Sequence, residues 1–151
     1  ASANRSSVRG WWKCIGKHRD RYKDRRKAGL CPYCGEPPVE GSTMCDAHRQ
    51  RSLVKDRRKY RKLRAQVLEA YGGKCQCPSC DVTTPEFLQI DHVNDDGGEH
   101  RRQLFGSNKR GCSHRFYTWL RKNGFPKEGF QLLCANCNFA KGHYGKCPHQ
   151  P

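Results

Sequence analysis

The sequence predicts a small α+β fold that is stabilised by zinc, and three observations predict it. Only 34% of the 151 residues are hydrophobic, and domains this small usually rely on disulfides, metals or a partner for stability. The chain contains 11 cysteines, enough to supply such metal sites. Its second half alternates short apolar runs with helical patterns, which is typical of a mixed α+β arrangement.

The cysteine pairs are interpreted as zinc ligands rather than as disulfides. They occur as Cys-x-x-Cys beside proline, glycine and histidine, and no secretory signal is expected. Two structural Zn²⁺ ions are predicted. One set has the spacing C-x2-C-x10-C-x2-H and comprises Cys31, Cys34, Cys45 and His48. The other joins two pairs that lie far apart in the chain and comprises Cys77, Cys80, Cys134 and Cys137.

Cys75 competes with Cys77 for a place in the second set. Cys77 is preferred because it has the two-residue spacing to Cys80 and, like Cys31, is followed by proline. A third metal site formed by Cys147 with His143 or His149 is a less favoured alternative. The cysteines that stay unassigned are Cys14, Cys75, Cys112 and Cys147.

The charge of the chain predicts a nucleic-acid partner. Lys and Arg number 30 and Asp and Glu number 14, which gives a net charge of +16. Such a surface attracts a phosphate backbone independently of base sequence, so double-stranded DNA is the expected partner. A membrane surface is the weaker alternative because the basic stretches lack a wide apolar face, and no apolar run is long enough to span a bilayer.

Four segments are expected along the chain. They are a basic N-terminal arm or helix over residues 1–27, a zinc-binding module over 28–50, a basic linking helix over 51–72 and a domain with the candidate site over 73–151. In the arm, Trp11 and Trp12 either stack on DNA or pack on the zinc module, and packing is favoured.

The stretch from Arg49 to Tyr71 has no Pro or Gly and predicts one long helix. Its apolar stripe recurs at three- and four-residue steps and comprises Tyr60, Leu63, Val67 and Tyr71. The other faces are so densely basic that the helix repels itself unless counter-charges are near. The basic residues that are expected to contact DNA are Arg57, Arg58, Lys59, Arg61 and Lys62.

Two strands and two helices are expected beyond residue 86. Residues 87–90 predict a strand that delivers Asp91 and His92, and residues 130–133 predict a second strand. Residues 94–98 are rich in turn formers, and a loop is expected after them. Residues 114–122 predict a helix, and a further helix is expected to begin near residue 137 and to end near residue 142.

Three motifs in this half are distinctive together. The first strand leads into Ile90-Asp91-His92-Val93, Gly-Gly-Glu-His-Arg occupies residues 97–101, and Leu-Cys-x-x-Cys-Asn occupies residues 133–138. With the upstream Cys-x-x-Cys, they resemble the HNH endonucleases, closest to small phage- and intron-associated members, whose active site is the ββα-metal fold. The resemblance covers about residues 68–145. It implies a metal-dependent DNA endonuclease that leaves 5′-phosphate and 3′-hydroxyl ends.

The residues of these motifs suit phosphodiester hydrolysis. His92 is the expected general base at neutral pH. Asp91 and the amide oxygen of Asn138 are expected to bind one Mg²⁺ or Mn²⁺, which would act as a Lewis acid at the scissile phosphate. His100 stays open between phosphate contact, a further metal ligand and a loop cap. The basic residues expected near the phosphates are Arg101, Arg102 and Lys141.

The chain departs from the family pattern at two positions. The third letter of the family name, often His, is Asn138 here, which keeps an oxygen ligand and softens the preference for a transition metal. The middle Asn falls near Gly129. In the family this position helps to orient the histidine, partly through backbone carbonyls, so the orientation of His92 is the property affected, and Asn136 is the alternative considered for that role.

The biological role stays open at this stage. A homing, restriction or phage-type enzyme fits equally, as do nicking, double-strand cutting and action as a homodimer. The expected location is DNA-associated, in the cytoplasm of a bacterial or phage-infected cell. The alternative from another class is a non-catalytic zinc-finger protein that binds DNA or RNA, which would give Asp91, His92 and Asn138 no purpose.

Overall fold

The computed structural model describes residues 19–106 and 112–149. These residues form helices and a two-stranded antiparallel sheet, which confirms the small α+β class. Across the described ranges, no helix combines the length and the apolar character that crossing a membrane requires. The sequence expectations that fall outside the described residues concern Trp11, Trp12, Cys14 and the side chain of Cys112.

The chain divides into two compact units, with the boundary between Arg57 and Arg58. The division expected from composition places no boundary there. In the first unit, residues 19–27 are helical (α1). The boundary itself falls inside a second helix, α2 (Asp46–Ala70).

Helix α2 confirms the long helix that the sequence predicts, although it begins three residues earlier, at Asp46. The carboxylate of Asp46 lies in the first turn, where negative charge is favourable beside the positive end of the helix dipole. The predicted apolar stripe is confirmed as well. Leu63, Val67 and Tyr71 are buried, and Tyr60 packs against the same core.

The rest of the second unit follows α2 in a fixed order. Its elements are the 3-10 turn Pro85–Phe87, β1 (Leu88–His92), α3 (Gly97–Phe105), α4 (Cys112–Lys122), β2 (Phe130–Cys134) and α5 (Ala135–Tyr144). Strands β1 and β2 are antiparallel, with His92 opposite Phe130. Both predicted strands are confirmed, but β1 runs one residue later at its start and includes Asp91 and His92. Helix α5 begins two residues before the predicted position.

Helix α3 forms where a turn and a loop were predicted. Its first turn contains Gly97 and Gly98, and glycine is a poor helix former, so the sequence pattern concealed the helix. Glu99 offsets part of that cost, since its carboxylate lies 2.7 Å from the Arg102 guanidinium. The helix ends at Gly106, whose φ of +68° is left-handed and favours glycine.

The core of the second unit is built from α2, α4 and the two strands. Its largest fully buried side chains include Val67 from α2, Leu120 from α4, and Leu88 and Leu132 from the strands. Burying an aliphatic side chain of this size stabilises the fold by about 1.5–3 kcal/mol. This core supports the end of β1 and the beginning of α5, which carry the candidate site.

Candidate functional site

Four ligand residues come together in the first unit, as the sequence predicts. The ligand atoms of this N-terminal group all lie within 4.8 Å of one another, and the group comprises Cys31, Cys34, Cys45 and His48. The Sγ atoms of Cys34 and Cys45 are 3.5 Å apart, and Cys45 Sγ lies 3.2 Å from His48 Nδ1. Tetrahedral zinc, with bonds of about 2.0–2.3 Å, places its ligand atoms about 3.3–3.8 Å apart, close to these two distances. The group is therefore suited to hold a zinc ion.

A tight turn presents Cys31 and Cys34 on the same side of the chain. The Gly35 N–H donates to the Cys31 carbonyl at 2.8 Å, and Gly35 has a φ of +90°, which favours glycine. Burial raises the pKa of the Cys31 thiol, but main-chain hydrogen bonds at Cys45, Tyr33 and Cys34 outweigh it and lower the pKa to about 6. Because zinc binds the thiolate, this turn prepares Cys31 as a ligand.

In the second unit, the structure corrects the predicted zinc set, because Cys75 takes the place predicted for Cys77. The ligand atoms of the resulting β2 group lie within 4.8 Å of one another, and the group comprises Cys75, Cys80, Cys134 and Cys137. Cys77 belongs instead to a tail group of the same compactness, which comprises Cys77, Cys137, Cys147 and His149. The less favoured pairing of Cys147 with His149 is therefore present, and His143 is not part of it.

Hydrogen bonds explain why Cys75 replaces Cys77. The Cys75 N–H donates to the Val82 carbonyl at 2.9 Å, and the Cys134 N–H donates to Cys75 Sγ at 3.2 Å. These bonds hold the Cys75 thiol at the end of β2. Cys77 contacts Cys147 instead, with 3.7 Å between the two Sγ atoms. Spacing in the sequence could not reveal this choice, because the partners are distant in the chain.

Strand β1 ends at a cavity of about 680 Å³ in the second unit. Its lining includes the three residues predicted to be catalytic, Asp91, His92 and Asn138. Two arginines, Arg64 and Arg101, line it as well. A carboxylate, an imidazole, an amide and positive charge therefore share one concave surface.

His92, which lines this cavity, is held among aromatic rings. Its side chain is 6% exposed, and its ring centroid lies 4.9 Å from that of Phe130 and 5.4 Å from that of Phe116. His92 Nε2 is 2.9 Å from His100 Nδ1. His100 is therefore a direct partner of His92. The sequence did not indicate this role for His100.

The surroundings lower the pKa of His92 below its ordinary value. Burial is the largest cause, because it disfavours the charged imidazolium. His100 and Arg101 lower the pKa further, while the carboxylates of Asp96 and Asp91 oppose them. His92 is therefore neutral at pH 7 and able to accept a proton.

Gly97, which the sequence indicated only as a turn former, packs directly against His92. A Cβ at this position would lie 2.7 Å from His92 Nδ1, closer than carbon and nitrogen can approach. The His92 carbonyl accepts a hydrogen bond from Lys141 Nζ at 2.9 Å. The Gly129 carbonyl accepts a hydrogen bond from the Val93 N–H, next to His92 in the chain, at 3.1 Å. Packing and main-chain contacts therefore orient His92, without a side chain at Gly129.

Asp91 is bound by two side chains. Gln131 Nε2 donates to Asp91 Oδ2 at 2.8 Å, and Lys141 Nζ lies 3.1 Å from the same oxygen. Lys141 also pairs with Asp95, and its side chain is only 14% exposed. Lys141 is therefore an internal counter-charge for Asp91 and not an outward-facing cation.

Asn138 lies in the first turn of α5, one residue after Cys137. Its Nδ2 donates to Gln89 Oε1 at 3.0 Å, an arrangement that leaves the amide oxygen as the atom that could bind a cation. Carboxylate and amide oxygens are suited to Mg²⁺, which keeps much of its water. In the part of the chain that the structure describes, however, the groups of three or more Cys, His, Asp or Glu ligands are the three Cys/His groups alone.

The basic residues predicted to contact DNA are of two kinds. Those on α3 pair with an acidic residue or line the cavity, whereas those on α2 are exposed. Arg102 pairs with Glu99 on the surface of α3, and Arg101 is half-buried and lines the cavity. The residues that are exposed on α2 are Arg57, Arg58, Lys59, Arg61 and Lys62. Arg64 on the same helix faces inward and donates to the Leu88 carbonyl at 2.7 Å.

Over residues 19–106 and 112–149, the fold and its sites define a small α+β protein with three Cys/His groups that are compatible with zinc. Compared with protein-family models, with curated proteins and with solved structures, the chain gives no match. Its function must therefore be argued from its own residues.

Proposed function

We propose that this chain is an HNH-type, metal-dependent endonuclease that hydrolyses phosphodiester bonds of double-stranded DNA. One observation carries the proposal. Asp91 and His92, at the end of β1, line the same cavity as Asn138, in the first turn of the helix that follows β2. In this proposal, β1, β2 and α5 are the ββα-metal core, and DNA association is the reason for the chain's positive charge.

His92 acts as the general base. Its lowered pKa keeps the imidazole neutral at pH 7, so it can take a proton from the attacking water. His100 Nδ1, 2.9 Å from His92 Nε2, can share that proton. Gly97 and the flanking rings hold the imidazole in one orientation, which matters because general-base catalysis depends on geometry first.

Asp91 and Asn138 are the proposed ligands of one Mg²⁺ or Mn²⁺, which would supply Lewis-acid stabilisation of the phosphate and of the departing oxygen. The chain positions both ligands. Gln131 and Lys141 hold the Asp91 carboxylate, and Gln89 holds the Asn138 amide. Lys141 also limits the negative charge at Asp91, so a hydrated cation would be bound weakly until a phosphate adds its own oxygens.

Substrate binding is proposed to be largely electrostatic. The exposed basic residues of α2 and the net charge of +16 favour phosphate contacts that carry no sequence code. In this proposal, Arg101, which lines the cavity, contacts the scissile phosphate. The proposal is compatible with nicking and with double-strand cutting, by a monomer or a homodimer. It is also compatible with a homing, restriction or phage-type role in a bacterial or phage-infected cell.

A plasmid-cleavage assay tests the proposal. The wild-type protein is expected to nick or cut supercoiled DNA with Mg²⁺ or Mn²⁺ and to be inactive with EDTA. His92→Ala should lower the rate by about 10²–10⁴-fold, with zinc content and DNA affinity unchanged. His143→Ala removes an exposed histidine outside the cavity and should cut like the wild type.

The second candidate is a non-catalytic zinc protein that binds DNA or RNA. The observation that favours it is the ion pair between Lys141 and Asp91 at 3.1 Å, which occupies the carboxylate that a catalytic cation needs. It predicts tight binding and no cleavage with any divalent metal. Wild-type protein that binds DNA but leaves it intact would therefore support this candidate and reject the nuclease.

A further inference from the structure

We propose that the β2 group and the tail group form one binuclear zinc centre, in which the Cys137 thiolate bridges the two ions. Each ion has four ligands, because the bridging sulfur counts for both. With the N-terminal group, the described residues then bind three Zn²⁺ ions rather than two. This inference does not depend on the proposed nuclease activity.

The distances within the two groups suit tetrahedral zinc. In the β2 group, the Sγ atoms of Cys80 and Cys134 are 3.7 Å apart. In the tail group, Cys77 Sγ and Cys147 Sγ are also 3.7 Å apart, and Cys147 Sγ lies 3.6 Å from His149 Nδ1. Zinc bonds of about 2.0–2.3 Å at tetrahedral angles give ligand separations of about 3.3–3.8 Å.

Cys137 occupies the shared position. It belongs to both groups, its side chain is completely buried, and its Sγ lies 3.4 Å from His149 Nδ1. If the two groups competed for one ion, three buried thiols of the β2 group, or two thiols and a histidine of the tail group, would be left without a metal. Two ions with a common sulfur give all seven residues a ligand role.

The charge of the centre is also reasonable. Six thiolates and two Zn²⁺ ions carry a net charge of about −2. Main-chain donors meet this charge, since the Cys134 N–H points to Cys75 Sγ at 3.2 Å and the Cys137 N–H points to Cys134 Sγ at 3.4 Å. The beginning of α5, where Cys134 caps the helix, adds the positive end of the helix dipole.

The bridged centre joins three distant segments at one point. It ties the Cys75–Cys80 segment and the Cys147–His149 tail to the start of α5. Asn138 follows the bridging residue directly, so the second ion would help to fix the position of this cavity residue. A single ion in the β2 group would leave the tail without this anchor.

The metal content of the purified 151-residue chain tests the number of ions. The expected result is three zinc ions for each wild-type chain and about two for a Cys147→Ser/His149→Ala double variant. His143→Ala is the matched control, because His143 is an exposed histidine near the tail outside both groups, and it should retain three ions. Wild-type protein that binds two ions, with the double variant unchanged, would overturn the proposal.

Cobalt substitution tests the bridge itself. Two Co²⁺ ions that share a thiolate couple magnetically, so the wild-type electron paramagnetic resonance signal should account for fewer spins than the cobalt bound. The double variant should restore the full signal for each remaining ion. A wild-type signal equal to the bound cobalt would reject the bridge even if three ions bind. This measurement needs only the wild-type protein, so it stays decisive if the variant does not fold.

Discussion

The two units of this protein gather their metal ligands in different ways. The N-terminal group draws its ligands from one short stretch between Cys31 and His48, whereas the second unit combines segments as distant as Cys75 and His149. The cysteines of the β2 group and the tail group also belong to the buried core of the second unit. The local group depends on its own turns, while loss of metal from the second unit should spread into the core and the cavity.

Cys137→Ser should lower stability more than any other variant that distinguishes the two units. It removes a ligand of both groups in the second unit, and the free energy of unfolding of that unit should fall by at least about 3 kcal/mol. Cys34→Ser, in the N-terminal group, should leave residues 58–151 unaffected. Hydrogen exchange read by mass spectrometry checks both. Equal protection of the second unit in the two variants would contradict the distinction.

Gly97→Ala should disturb the cavity without touching a metal ligand. The added Cβ would lie 2.7 Å from His92 Nδ1, so the imidazole must move, at a cost of about 1–3 kcal/mol. Plasmid cleavage should fall while zinc content stays at the wild-type level.

Gly98→Ala is the control for that variant. A Cβ at Gly98 would meet nothing within 4 Å, and alanine favours the helix by about 0.5–1 kcal/mol, so stability should hold or rise slightly. If Gly97→Ala and Gly98→Ala behave alike in cleavage and in unfolding, close packing against His92 is not what orients the ring.

The burial of His92 predicts a pH dependence of the stability of the second unit. The folded-state pKa of His92 is lowered, while in the unfolded chain it is about 6.5. Between these values the unfolded state binds more protons, so stability rises with pH and this contribution levels off above about pH 6.5. Cleavage should rise with pH through the lowered pKa. Urea unfolding of the wild type and of His92→Gln at several pH values checks the effect on stability. If the free energy of unfolding depends on pH in the same way in both proteins, the effect comes from a group other than His92.

Single basic residues on α2 should have the smallest effects. Lys62 is exposed, so Lys62→Ala should weaken DNA binding only several-fold and reduce the slope of log affinity against log salt by about 1. Gln66→Ala, an exposed and uncharged position on the same helix, is the control. Fluorescence anisotropy at three salt concentrations measures both, and an unchanged slope for Lys62→Ala would remove α2 from the DNA-binding surface.

Local patterns predicted most of the secondary structure and one metal group. The apolar stripe of α2, the two strands and the spacing from Cys31 to His48 are properties of short stretches, so neighbouring residues suffice to indicate them. Helix α3 was not predicted because Gly97 and Gly98 are poor helix formers. Gly97 is nevertheless required there, since a larger residue would collide with His92. No local pattern predicted that Asp91, His92 and Asn138 share one site. That prediction came from the resemblance to a family.

The sequence by itself determined the residue types, the positive charge, the N-terminal group and the elements that carry the candidate site. The tertiary structure alone decided that Cys75 joins the β2 group, that Cys137 is common to two groups, and that His100 and Lys141 contact the candidate residues. The physical reason is that these choices depend on which buried atoms meet when the core closes. Two cysteines that are close in the chain can reach only a few partners, so their spacing predicts a shared metal site. For residues as far apart as Cys77 and Cys147, spacing in the sequence hardly restricts which of them meet.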